Sequence, residues 1–78
     1  MSQDAGLTPP QARVLRRLEA VFPHYRSAAE LATELGADAR SALGALQALV
    51  GRGDARRGPL RLGATDEAEI HQATTKPR

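Results

Sequence analysis

From Thr8 onward the apolar residues Val14, Leu15, Leu18, Val21 and Phe22 recur at steps of three and four, the repeat of one helix face. Arg13, Arg16, Arg17 and Glu19 fall mostly on the other side. Thr8 can cap this helix, proline is tolerated in a first turn, and Gln11 sits at the capping-box distance. The helix is predicted to stop at or close to Phe22, ahead of Pro23. After the connection His24-Tyr25-Arg26, Ser27 and Glu30 form a second capping box, and Ala28, Leu31, Ala32 and Leu35 give one narrow apolar face. Gly36 ends that helix and Asp38 caps a third, predicted from about Ala39 to Arg52 with Ala42, Leu46 and Leu49 inward. Gly51 and Gly53 bracket its end.

Beyond the third helix, Ala55 to Leu62 reads as two very short extended segments around Gly58-Pro59. Leu60 and Leu62 share one face and Arg61 the other, the pattern of a half-buried strand, so a small β-hairpin is predicted. Thr65 to Ile70 is expected to start a short acidic helix, and Ala73 to Arg78 to be a disordered end. The predicted class is mainly α with a small β-hairpin. Residues 1–7 are expected to form a flexible leader, 8–63 the domain, and 64–78 a C-terminal tail.

Composition narrows this picture without changing it. A chain of 78 residues holds one small core and buries roughly 60% of its unfolded surface. Phe22 and Tyr25 are its only aromatics, so leucine and alanine must fill the interior. The absence of cysteine removes disulfides and thiolate metal sites and fits a reducing cytoplasm. No apolar run approaches the roughly 18 residues of a membrane helix, and Met1 to Pro10 lacks a signal-peptide pattern, so a cytoplasmic protein is expected. The formal net charge is only +2, but its distribution is uneven. Between Thr8 and Gly63 nine arginines stand against five acids, an excess of +4, and Arg52, Arg56, Arg57 and Arg61 face Asp54 alone. Such a cluster is an electrostatic footprint for phosphate.

Leu31-Ala32-Thr33-Glu34-Leu35-Gly36, then Leu46-Gln47-Ala48-Leu49, Gly53 and the basic Ala55-Arg56-Arg57 resemble the winged helix-turn-helix regulators of bacteria. The resemblance runs from about Thr8 to Leu62. It implies a three-helix winged helix-turn-helix that binds double-stranded DNA, as a transcription regulator or an accessory DNA-processing factor. In such a unit the third helix enters the major groove and the hairpin meets phosphate. On that frame Arg40, Ser41, Gly44 and Gln47 are the outward positions. Arg40 can pair with guanine or a phosphate, Ser41 can contact either, and Gln47 can read adenine. Arg56, Arg57 and Arg61 are expected on phosphate or in the minor groove, and Arg26 on the backbone beside the second helix.

Related domains often carry hydrogen-bonding residues where this chain has Leu43, Gly44 and Ala45. Binding is therefore expected to rest largely on phosphate contacts. A homodimer spanning two half-sites is the expected remedy for the modest charge, its surface supplied by Thr65 to Ala73 or by the first helix. Leu43 and Val50 either widen the core stripe or form an exposed apolar patch. In the second case the alternative function is a protein-interaction module that docks a protein partner with little or no DNA binding.

Other chemistry lacks parts. No base with an orienting partner stands near Ser27 or Ser41, the glycines do not form a nucleotide loop, and His24 and His71 are not spaced as metal ligands. No enzyme, cofactor, metal or small-molecule substrate is expected.

Overall fold

The computed structural model describes residues 6–59, 63 and 65–74. Helix α1 is Pro9–Ala20, strand β1 Arg26–Ser27, helix α2 Ala28–Leu35 and helix α3 Ala39–Arg52. Strand β2 is Ala55–Arg57, a 3₁₀ turn covers Asp66–Ala68, and strand β3 is Ile70–Ala73. Three helices thus carry a small three-stranded antiparallel sheet in the order β1-β3-β2.

The helices begin where their caps dictate. Thr8 and Gln11 close one capping box and Ser27 and Glu30 another, each satisfying two backbone amides that the first turn leaves without partners. Asp38 accepts from the Ser41 amide at 2.8 Å to start α3. Gly36 and Gly53 end α2 and α3 in the left-handed region, at φ 67° and 84°, which costs a glycine nothing sterically. Helix α1 ends two residues before Phe22. Val21 is its C-cap, and the chain then turns through a cis Phe22–Pro23 peptide.

One core joins the three helices to the sheet. Leu18, Leu31, Leu46 and Leu49 are fully buried at its centre, with Val14, Leu15 and Ala28 around them and Ala55 and Ala73 entering from the sheet. Leu7, expected in the leader, packs against this cluster, as do Phe22, Leu35, Leu43 and Val50. Among the described residues no helix is long and apolar enough to cross a membrane.

The sheet departs from the expected hairpin. Strand β2 pairs with β3, Ala55 opposite Ala73, Arg56 opposite Gln72 and Arg57 opposite His71. Leu60, Arg61 and Leu62, the expected partner segment, lie outside the described residues. The central strand therefore comes from the segment expected to be acidic helix and tail, of which only the single turn Asp66–Ala68 is helical. Ile70–Ala73 carries two buried polar side chains, His71 and Gln72, so its hydrophobic pattern does not announce a strand. Strand β1 falls where the sequence predicts a plain connection and a cap; its two residues pair with Ile70 and His71.

Candidate nucleic-acid interface

Helix α3 buries Ala42, Ala45, Leu46 and Leu49. Steps of four, three and four residues then leave Arg40, Gly44, Gln47 and Gly51 exposed along the opposite side. Of the three positions expected to form a bland outer surface, only Gly44 is exposed. Ala45 is core, at 5% exposure, because it lies within one turn of both Ala42 and Leu49. Leu43 is half-buried and packs on the core rim, and so does Val50. The two residues that the protein-docking alternative needed in the open are thus partly consumed by the fold.

The polar groups of the outer stripe differ in what they have left to offer. The Ser41 hydroxyl donates to Asp38 Oδ2 at 2.9 Å, so it serves the cap as well as facing solvent. The Ser41 amide, then its hydroxyl, hold the Asp38 carboxyl below its ordinary value, which keeps the cap charged. Arg40 and Gln47 are exposed, and among the described residues no carboxylate pairs with Arg40.

Most other arginines are engaged within the fold. Arg17 from α1 and Arg26 from β1 both grip Glu34 on α2, Nε to carboxylate oxygen at 2.6 and 2.9 Å. The Arg17 hydrogen bond is the leading reason that the Glu34 carboxyl is held below its usual range, with Arg26 adding to it. Arg13 donates to the Leu35 carbonyl at 2.6 Å, closing the end of α2. Arg52 pairs with Asp54 at 3.1 Å. Arg26, expected to lie on a phosphate, is therefore half-buried in an ion pair and also donates to the Tyr25 carbonyl at 2.9 Å.

Strand β2 presents Arg56 and Arg57, both exposed and both without a carboxylate partner among the described residues. Arg61 lies outside the described residues. Arg56 Nε donates to Gln72 Oε1 at 2.7 Å, and Gln72 Nε2 donates to the Pro23 carbonyl. Arg57 stands in register with His71 on β3, which has Arg26 on its other side. Burial of His71 pushes its imidazole below the ordinary value; the Glu69 carbonyl and charge act against this, and Arg57 reinforces it. Gln72 and His71 escape a reading of the sequence because both belong to β3, whose one local strand signal is Ile70. The same strand draws part of one segment expected to supply a dimer surface into the fold: of Thr65 to Ala73, the residues His71, Gln72 and Ala73 are buried on the central strand.

The arrangement therefore gathers carboxylate-free guanidinium groups on the outer stripe of α3 and on the strand that follows it. Comparison with family models, with curated proteins and with solved structures finds no match to this chain.

Proposed function

We propose that this chain is a DNA-binding winged helix-turn-helix module, with α3 in the major groove of a duplex and β2 at the base of a wing that meets phosphate. The strand order supports this reading, with β1 between α1 and α2 and the β2-β3 pair after α3. One observation carries it. Arg17, Arg26 and Arg52 are held in ion pairs and Arg13 on a backbone carbonyl, while Arg40, Arg56 and Arg57 are exposed and have no carboxylate partner among the described residues.

Arg40 and Gln47 stand about 10 Å apart along the helix, close to three base steps. Arginine suits guanine and glutamine suits adenine in the major groove. Between them Gly44 offers no side chain, so most of the binding free energy comes from phosphate and steers the module to duplexes of many sequences. A role in transcription regulation or DNA processing, with a second copy on an adjacent half-site, fits such a module.

The test is a salt titration of affinity for duplex DNA. About three phosphate contacts give a log–log slope near −3. Replacing Arg56, Arg57 and Arg61 together by alanine should flatten it by about one unit for each of these arginines that meets a phosphate. An unchanged slope and affinity in that variant would remove the wing from the interface.

A further inference from the structure

We propose that Gln72 is a positioning residue that aims Arg56 at a phosphodiester oxygen; the inference rests on the duplex-binding reading and deepens it. Gln72 is 5% exposed and lies on the central strand directly opposite Arg56. A buried carboxamide is unfavourable unless both its ends are hydrogen-bonded. Here both are: Nε2 donates to the Pro23 carbonyl, and Oε1 accepts from Arg56 Nε at 2.7 Å. A guanidinium only donates and a carbonyl only accepts, so these two partners fix which way the amide faces. Pro23 belongs to the turn after α1, so the amide is held from an element outside the sheet.

That arrangement acts on Arg56. Its Nε edge is anchored while the residue as a whole stays exposed. The guanidinium plane is thereby oriented, and the two terminal nitrogens form a fork suited to two oxygens of one phosphate. An unanchored arginine must lose its rotamer freedom on binding, whereas an anchored one has lost part of it already. Arg57 lies one residue on along the same strand, opposite His71, and no hydrogen bond among the described residues anchors its guanidinium. Arg56 is the positioned contact of the pair and Arg57 supplies charge.

The alternative is that Gln72 merely ties β3 to the turn at Pro23, and a double-mutant cycle separates the two. The full chain is titrated with a fluorescently labelled duplex of about two helical turns, as wild type, Arg56→Ala, Gln72→Leu and the double variant. Arg56→Ala should weaken binding about tenfold and lower the salt slope by about one. Gln72→Leu keeps every charge and should weaken binding about threefold, but should change nothing in the Arg56→Ala background. Equal weakening in both backgrounds, or no weakening in the wild type, overturns the proposal. If Gln72→Leu does not fold, Arg56→Lys takes its place. Lysine keeps the charge, and with it the salt slope, but loses the Nε bond to Gln72 and the fork. Binding should therefore weaken about threefold with the slope unchanged, and wild-type affinity would overturn the proposal. A wild type that holds no duplex at low salt removes the duplex reading and this inference together. Duplex binding with additive variants removes this inference alone.

Discussion

Gly58 has no room for a side chain. A Cβ there would stand 2.6 Å from Ile70 Cγ1 and 2.8 Å from two carbons of the Tyr25 ring, while its amide donates to the Ile70 carbonyl at 2.7 Å. In the sequence Gly58-Pro59 reads only as a turn, because the close approach comes from residues more than ten positions away on both sides. Gly58→Ala should therefore lower stability by about 1–3 kcal/mol through overpacking, seen as a reduced urea midpoint. His71 makes a second prediction for a single residue. Its imidazole sits below the ordinary value of 6.5, chiefly through burial, so the unfolded chain binds a proton more readily than the folded one. Stability from this group is complete above about pH 6.5 and falls as pH drops through that value toward the folded one. Unfolding midpoints measured between about pH 7.5 and about pH 5 should decline, and His71→Leu should flatten that decline.

Among the elements, each helix start is legible because its cap is a local event: Thr8, Ser27 and Asp38 each bond an amide three residues on. The strands are not. Strand β1 has two residues and β3 buries polar ones, and both exist only because residues from distant segments pair across them. Helix α3 carries a prediction of its own. Gly44 lies in its interior, and a Cβ there would meet nothing within 4 Å, so the fold gives no reason for a residue that weakens a helix by about 1 kcal/mol relative to alanine. Gly44→Ala should raise stability by about 0.5–1 kcal/mol and the melting temperature by a few degrees. On the duplex reading, where the helix backbone approaches the groove closely, the same variant should bind duplex less tightly. A variant that is no more stable would show that α3 is not a regular helix at this position.

Across the molecule, the arginine excess that forms one basic segment in the sequence divides into two populations. Arg17 and Arg26 converge on Glu34 from different elements, and Arg52 meets Asp54, so these three cations are largely offset by two carboxylates. Arg40, Arg56 and Arg57 have no carboxylate partner among the described residues and place their charge on α3 and β2. The folded unit also extends past the boundary expected at Gly63, because β3 lies between the other two strands and Ala73 is 1% exposed. A chain ended at Gly63 loses the central strand, leaves β1 and β2 without partners and opens the core beneath them. It should show no cooperative thermal transition by circular dichroism, whereas a chain ended after Thr74 should retain one.

Local pattern is enough to dictate the three helices, their caps, and the leucine and alanine faces that meet in the core. Those features depend on spacings of three and four residues and on side chains bonding their own backbone neighbours. Folding in three dimensions settles which segment completes the sheet, which arginines are neutralised, and that Ala45, His71 and Gln72 are interior. Each of these depends on a partner from another element, and no local pattern encodes where along the chain such a partner lies.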